Sequence, residues 1–343
     1  MNEALAKGGL YEVFQGTADL KAAAAYWAAF GYQVEAEANL PAALASELYG
    51  HRSDARVARL RSTADHGLVR LIEWAEPANA GLGTSGLRAH GNRWVGHFTR
   101  SVLTIANHAA AAKNAGEPLQ LGAPHFIDMG RAYGHLFGGK TPRAFADELI
   151  CLREVQMFRD ETRQVFLERF GYDSPMLGTF ADDSLMRATQ IVQGCMVVAS
   201  EDPGVFDFYL DVLGLWKSFD HTVPWDEAQA SREVFSLTPG ETHWNVDMDE
   251  PESKPSLAER RSGRLKCFRF STRHPIEDVS SLASPGALGF SNYSWRVRDV
   301  NEAYSRVLAS EANEKTQVLE DEFGDKAISF RAPDGYFWTF IER

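Results

Sequence analysis

The side chains best suited to chemistry, the cysteines and histidines, are scattered along this 343-residue sequence rather than gathered in a familiar motif. The cysteines are Cys151, Cys195 and Cys267, an odd number with no CxxC pair. This pattern argues against a disulfide framework or a thiolate zinc site, and it favours a reducing, cytoplasmic compartment. His125 and His135 could act as acid or base, although surface or supporting positions are the commoner fate of such residues.

Local motifs that hold a cofactor or an activated nucleophile are absent from the sequence. GxGxxG, GxxxxGK[ST], GxSxG and HExxH do not occur. Residues 138–140, Gly-Gly-Lys, lack the first glycine and the spacing of a phosphate-binding loop. No local motif therefore marks the functional site.

Charge and composition indicate which kinds of molecule the protein binds. The formal net charge is -12 and no run of five basic residues occurs, which disfavours nucleic acids and anionic membranes. No apolar run reaches the 18 residues of a membrane span, and residues 1–5 do not read as a secretory signal. With 44% hydrophobic and 11% aromatic residues, the chain can build a large core and apolar cavities, so a small-molecule substrate is the expected partner.

Four segments of the sequence begin alike, near residues 10, 94, 190 and 289. Each starts with a short strand-like run, continues with a helix and ends with further strands, which indicates a repeated β-α-β-β-β module. The predicted helices end at about residues 27, 115, 213 and 307, and Gly31, Gly116 and Gly214 supply left-handed helix-ending positions. Further strands are predicted at residues 68–74, 119–127, 233–237, 243–248 and 338–341.

The predicted boundary between two domains lies in the middle of the chain. Residues 160–170 are typical of a capped helix that ends at Gly171, and residues 171–183 are typical of a linker. We therefore predict an α+β fold with residues 1–172 and 185–343 as two domains of two modules each.

Three stretches resemble the vicinal-oxygen-chelate superfamily, which includes glyoxalases, bleomycin-resistance proteins and ring-cleaving dioxygenases. Residues 201–215, EDPGVFDFYLDVLGL, are similar to its first helix. Residues 332–338, APDGYFW, resemble the entry to its last strand, and residues 73–77, EWAEP, resemble the end of a first module. The resemblance implies four β-α-β-β-β modules paired into two glyoxalase-like domains, and it leaves the activity open.

The resemblance also implies a metal site in the N-terminal half. In metal-dependent members, the ligands come from the first and last strands of paired modules, as His or Gln, Glu, His and Glu. Counting seven residues back from the helix-capping Asp19 gives Glu12 (or Tyr11, if the count slips by one), and counting back from Gly116 through an ungapped helix gives His97. The other two matching positions are Glu73 and Glu154. For the last ligand Glu148 is an alternative. Residues 142–170 could instead form one long helix, which would leave the fourth ligand elsewhere.

The C-terminal half does not match the same pattern. The expected ligand positions hold Gly194 or Cys195, Asn292 and Thr339, and Asp247 is the only plausible ligand left. The iron triad of the extradiol dioxygenases is missing, so the resemblance predicts a metal-free C-terminal domain and argues against that chemistry.

Two functions follow from the resemblance. An oxygen-rich site with one imidazole would suit Mn²⁺, Co²⁺, Ni²⁺, Fe²⁺ or Zn²⁺ in a lyase or isomerase that stabilises an enolate, with Glu154 or Glu12 as the base. The alternative is a metal-free protein that binds or sequesters a small molecule in an aromatic slot. A third possibility is a catalytically silent scaffold that forms a homodimer through exposed sheet edges.

Overall fold

A computed structural model describes residues 4–128, 150–225 and 229–343, and two large sheets dominate them. The first sheet has eight strands, from the beginning and the end of the chain. They are β1 (Ala6–Gly16), β2 (Gln33–Leu40), β3 (Ala55–Arg61), β4 (Leu68–Trp74), β16 (Gly289–Val297), β17 (Leu319–Glu320), β18 (Lys326–Arg331) and β19 (Phe337–Glu342). Their order across the sheet is β17-β18-β19-β16-β1-β4-β3-β2.

The second sheet has nine strands, from the middle of the chain. They are β6 (Arg93–Phe98), β7 (Leu119–Leu121), β8 (His125–Asp128), β9 (Cys151–Arg159), β10 (Arg163–Phe170), β11 (Gln193–Val197), β12 (Trp216–Pro224), β13 (Thr242–Asp249) and β14 (Arg264–Ser271). Their order is β12-β13-β14-β11-β6-β10-β9-β7, with β8 also paired to β9. Two short strands, β5 (Ala89–His90) and β15 (Glu277–Asp278), pair separately.

Five α-helices accompany the sheets in the described part of the chain. They are α1 (Leu20–Ala28), α2 (Ala42–Tyr49), α3 (Val102–Asn114), α4 (Gln229–Phe235) and α5 (Val300–Ala309). The side chains of Asp19, Ser101 and Asp299 cap α1, α3 and α5 by accepting backbone N–H bonds of their first turns. None of these helices, within the described residues, has the length and apolar character needed to cross a membrane.

The four predicted modules are present, but their pairing differs from our expectation. β1 lies antiparallel to β16, and β6 lies antiparallel to β11. The first module therefore pairs with the fourth and the second with the third, so the sheets do not coincide with residues 1–172 and 185–343. Because the four modules are alike, each presents a similar strand edge for pairing. The repeat in the sequence therefore does not determine which two modules pair.

Several local predictions are also corrected. Residues 151–170 form the hairpin of β9 and β10, not a helix, since both strands are buried on two faces and their apolar runs lack simple alternation. Residues 233–237 include the end of α4 rather than a strand. Residues 203–213 form a 3-10 turn, Pro203–Phe206, and a π-helical turn, Tyr209–Leu213, in place of one α-helix. His135, residues 138–140 and Glu148 lie outside the described residues.

The two sheets share one core and each has a second, separate apolar cluster. Val13 and Val69 of the first sheet meet Val95 and Phe166 of the second in what we call the shared core. On the opposite face of the first sheet, Phe14, Ile72 and Phe337 belong to a separate cluster of buried residues, which we call the first cleft. On the opposite face of the second sheet, Trp94, Leu167 and Phe268 belong to another such cluster, which we call the second cleft. Because side chains alternate along a strand, each residue's parity decides whether it enters the shared core or a cleft.

The backbones of the two sheets are in close contact where β1 passes the loop before β14. A Cβ atom on Gly9 would lie 2.5 Å from the Cα of Gly263 and 2.6 Å from the carbonyl oxygen of Ser262. Leu10 donates a backbone hydrogen bond to the Gly263 oxygen at 2.7 Å. The contact is therefore between two backbones, which cannot move aside as a flexible side chain can.

We predict that Gly9→Ala lowers the free energy of unfolding by about 1–3 kcal/mol, the usual cost of overpacking. Chemical denaturation measures it. Gly86→Ala is the matched control, because no atom lies within 4 Å of its added Cβ. Equal stability of the two variants would contradict the close contact.

Candidate functional site

The central strands of the first sheet are related by a local two-fold axis. β1 and β16 are antiparallel, with Glu12 opposite Ser294 and Phe14 opposite Asn292. The axis therefore relates Glu12 to Asn292 and Phe14 to Ser294. Glu12 and Asn292 are therefore equivalent positions, one from each module, as the sequence count predicted. The hydroxyl of Ser294 accepts the backbone N–H of Glu12 at 3.0 Å, which fixes the register at this point.

The neighbouring strands supply two further equivalent positions. Arg70 on β4 lies beside Phe14, and Thr339 on β19 lies beside Ser294. In the superfamily pattern, metal ligands come from these first and last strands. The central positions of the first sheet are Glu12, Arg70, Asn292 and Thr339.

The second sheet obeys the same symmetry. The pairs Gly96–Gln193 and Cys195–Trp94 exchange across its two-fold axis. Val165 lies beside Gly96, and Lys266 lies beside Cys195. The central positions of the second sheet are Trp94, Val165, Gln193 and Lys266. Gly194, one of the positions counted from the sequence, points into the shared core, where an added Cβ would lie 2.6 Å from Leu10.

These two sets of side chains do not fit the divalent metal that the resemblance implies. Glu12 is the one carboxylate among eight central residues, and no imidazole or thiolate stands with it. Arg70 brings a permanent positive charge to the place of a ligand, since a guanidinium stays protonated in proteins. Within residues 4–128, 150–225 and 229–343, no group of three or more His, Cys, Asp or Glu side chains is arranged to hold a metal.

Glu12 belongs to a buried ion cluster in the first cleft. Its carboxylate lies 2.6 Å from Arg59 Nε and 2.8 Å from an Arg70 nitrogen. Arg70 also contacts Asp321 at 3.0 Å and Glu322 at 2.9 Å. Glu12, Arg70, Asp321 and Glu322 have no exposed side-chain surface. The guanidinium of Arg70 thus provides the positive charge that a metal ion would otherwise bring to Glu12.

Aromatic rings close the first cleft around these charges. The Arg59 and Arg70 guanidinium carbons lie 4.2 Å and 5.1 Å from the ring centre of Phe323, and Arg70 lies 4.6 Å from that of Phe14. The Tyr49 hydroxyl, on α2, accepts from Arg70 at 3.0 Å. The first cleft is therefore filled by its own side chains.

Glu73 does not join Glu12, because it follows Ile72 by one residue and faces the other way along β4. Its side chain is 20% exposed and forms an ion pair with Arg56, whose side chain is 66% exposed. With Asp54 it lines an open groove of about 570 Å³ at the sheet's end.

His97 lies in the shared core, on the face of the second sheet that opposes Trp94. The ring packs 5.5 Å from Phe166 and 5.9 Å from Trp27, measured between centroids. Nδ1 donates to the Thr189 carbonyl oxygen at 3.0 Å, and Nε2 accepts from the Gln164 amide at 3.3 Å. Burial lowers the pKa of His97 to about 4, so the ring is neutral at physiological pH. His97 is a core residue with both nitrogens occupied.

Glu154 lies in the second cleft, on β9, separated by the sheet from His97. Its carboxylate oxygen is 3.9 Å from His125 Nε2. Burial raises the pKa of Glu154, and the charges of His125 and Lys266 oppose that rise. The structure therefore brings no two of Glu12, Glu73, His97 and Glu154 into one site.

A polar row follows β13 along the second cleft. Asp247 lies 3.2 Å from Arg264 and 3.5 Å from Lys266. In the described part of the chain, Asn245 Oδ1, Asp247 Oδ1 and His125 Nε2 are buried without a hydrogen-bond partner. Asp247 Oδ1 is the oxygen that lies 3.5 Å from the Lys266 ammonium, so the ion pair compensates part of the cost of its burial.

An aromatic wall stands beside this row. Trp94 and Phe268 are stacked with ring centres 5.3 Å apart. Phe235, from α4, lies 5.0 Å from Phe268 and 4.9 Å from Phe270. The second cleft therefore combines flat apolar surface with a few convergent polar groups, as small-molecule sites do. The sequence had offered Asp247 as a remaining ligand and His125 as a possible acid or base, but not Lys266 or Asn245. The alternation of residues 242–249 does place Asn245 and Asp247 on one face.

Solved structures confirm the fold. A single-site variant of glyoxalase I from Zea mays is similar with a TM-score of 0.54 and 12% identity over 97% of this chain and 93% of that one. Glyoxalase I from Zea mays without a substitution gives 0.52 at 11% identity, covering 97% and 92%. A putative dioxygenase from Bacillus subtilis gives 0.51 at 11% identity, covering 99% and 86%. No family model and no curated protein sequence matches the chain. At these identities the likeness establishes the fold and not the activity.

We predict that Arg70→Met lowers the free energy of unfolding by about 3–5 kcal/mol, because it leaves buried carboxylates without their partner. Arg56→Met is the control, since removing an exposed ion pair costs about 0–1 kcal/mol. Chemical denaturation of both variants measures the difference. A small effect at Arg70 would show that the cluster does not hold the first cleft together.

Because His97 is buried as a neutral ring, the protein should lose stability in acid. Its folded-state pKa, about 4, lies below the ordinary value of 6.5, so the unfolded chain binds the proton more tightly. The contribution is complete above pH 6.5 and is lost as the pH falls towards 4. Midpoints of urea unfolding between these pH values should fall less steeply for His97→Gln than for the wild type. Parallel profiles would mean that the ring is not buried as a neutral group.

Proposed function

We propose that this chain binds a small, planar organic molecule in the second cleft without a divalent metal. The observation that carries the proposal is the polar row of β13, with the Asp247–Lys266 ion pair, beside the Trp94–Phe268 stack. The ring of a ligand would pack on the aromatic wall, and its polar substituents would meet Asp247, Asn245 and Lys266. This is the binding or sequestering function that the sequence left as the alternative.

A divalent-metal-dependent lyase or isomerase, the first function inferred from the resemblance, receives less support. Such an enzyme needs convergent carboxylate and imidazole donors with open coordination positions. The central positions offer Trp94, Val165, Gln193 and Lys266 in one cleft and a guanidinium-neutralised Glu12 in the other. The chemistry of these donors, rather than the resemblance, decides our preference.

Lys266 is the central cation of the second cleft, so its charge should contribute to ligand binding. Its partner Asp247 lies 3.5 Å away, and its ammonium also acts on Glu154 from across the cleft. A ligand oxygen that accepts a hydrogen bond from this ammonium would gain about 1.5–3 kcal/mol, the usual range for a charged donor.

The test is a binding screen of monocyclic aromatic compounds against chelator-treated protein, followed by titration of the hits with and without added Mn²⁺ or Zn²⁺. We predict equal Kd values in both conditions and at least about a tenfold weaker Kd for Lys266→Met, because a charged hydrogen bond is lost. Lys326→Met, which removes an exposed lysine of the first sheet, is the control and should bind like the wild type. Binding that appears only with metal would favour the enzyme interpretation instead.

A further inference from the structure

The open groove at the end of the first sheet is a place where a ligand can enter from solvent. It lies where β2 and β4 end and β3 begins, next to the residue that precedes the N-cap of α1. Its volume of about 570 Å³ falls within the range of about 300–1,000 Å³ that small-molecule sites occupy. The side chains that line the groove therefore indicate which molecule it accepts.

Polar side chains cross this end of the sheet in one row. Asn39 on β2 lies opposite Arg56 on β3, and Arg56 lies opposite Glu73 on β4. Opposite residues on neighbouring strands face the same side of a sheet and lie within contact distance of each other. Arg56 and Glu73 form an ion pair, so these two charges of the groove balance each other.

Asp54 adds a carboxylate that no ion pair balances among the described residues. It is exposed, and its Oδ1 accepts the backbone N–H of Ala42 at 2.7 Å, whereas its Oδ2 has no bonded partner in the described part of the chain. A carboxylate oxygen only accepts hydrogen bonds. With Asp54, the groove lining has one more carboxylate than guanidinium, and its available acceptor faces solvent.

Apolar side chains lie beside this carboxylate. Leu40 and Pro41 line the groove at the end of β2, and Trp74 lines it at the end of β4. The Trp74 ring packs edge-to-face against His51 with 5.0 Å between centroids, which holds its orientation. An indole ring attracts a cation to its face and also covers methylene groups. The groove thus combines an unbalanced negative charge with apolar surface.

We infer that this groove binds a small aliphatic primary amine in its ammonium form, with the ammonium at Asp54 and the carbon chain against Trp74 and Leu40. An ammonium carries the opposite charge and donates the hydrogen bonds that Asp54 Oδ2 and the Asn39 amide oxygen accept. A carboxylate ligand would be repelled by Asp54, and an alcohol would lack the charge attraction. The groove and the second cleft share no residue, so this inference does not rest on the proposed function.

The test compares n-hexylamine, 1-hexanol and hexanoate, which have the same carbon chain and differ in the head group. Each is titrated into the full-length protein at pH 7 and followed by ligand-observed NMR. Low ionic strength is used because salt screens exposed charges. We expect n-hexylamine to bind at least about tenfold more tightly than 1-hexanol, because a charged hydrogen bond replaces a neutral one, and hexanoate to bind more weakly still.

Variants then locate the site. Asp54→Asn removes the charge but keeps an oxygen that can accept from Ala42, so the first turn of α2 retains its hydrogen bond, and n-hexylamine should bind at least about tenfold more weakly. Asp173→Asn makes the same change at an aspartate outside the groove whose side chain is 80% exposed, and it should bind like the wild type.

Three results would overturn the inference: no binding of n-hexylamine, equal binding of the three compounds, or wild-type affinity in Asp54→Asn. None of them bears on the second cleft, because these compounds lack the planar ring proposed for its ligand.

Discussion

The structure depends on two antiparallel strand pairs that join one module to another, β1 with β16 and β6 with β11. We call each of these pairs a seam. Each seam is closed by backbone hydrogen bonds, and each decides which side chains from distant parts of the sequence face one another. Pairing consecutive modules would have brought Glu12 and Trp94 into one cleft. The observed pairing instead places Glu12 with Asn292 and Trp94 with Gln193, so the chemistry of both clefts follows from the choice of seam.

The two clefts surround a central basic residue with different side chains. Each has a basic residue at a central position on the last strand of one module, Arg70 in the first and Lys266 in the second. In the first cleft, buried carboxylates and aromatic rings surround the guanidinium. In the second cleft, the ammonium lies 3.5 Å from Asp247, next to the stacked rings of Trp94 and Phe268. We interpret the first cleft as a structural unit, and we propose the second as the binding site.

Much of the fold could be predicted from the sequence because the module starts repeat and because Asp19 and Asp299 cap their helices. Counting seven residues back from these caps gives Glu12 and Asn292, which the strand register confirms as equivalent. The count for the second module began from Gly116 and assumed a different helix length. The N-cap is Ser101, and seven residues before it is Trp94, not His97. An error of three residues moved the predicted ligand from the cleft into the shared core.

The remaining differences have physical causes that a single sequence does not reveal. Glu73 and Arg70 lie on the same strand with opposite parity, and only the register with Phe14 shows which one faces Glu12. Strands buried on both faces, such as β9 and β10, lack the alternation that would have separated them from a helix. The ion pair of Asp247 with Lys266 depends on the register between β13 and β14, which no local pattern encodes.

The central claim is that, among the residues that the structure describes, the two clefts carry cationic side chains at central positions and lack the donors of a divalent-metal site. The most direct measurement is a titration of chelator-treated, full-length protein with Mn²⁺, followed by the electron paramagnetic resonance signal of the free aqua ion. Our account predicts a signal that rises with added Mn²⁺ as it does in buffer alone, for the wild type and for Glu12→Gln alike. A stoichiometric loss of the free-ion signal in the wild type, abolished in Glu12→Gln, would contradict it and restore the metal-dependent enzyme.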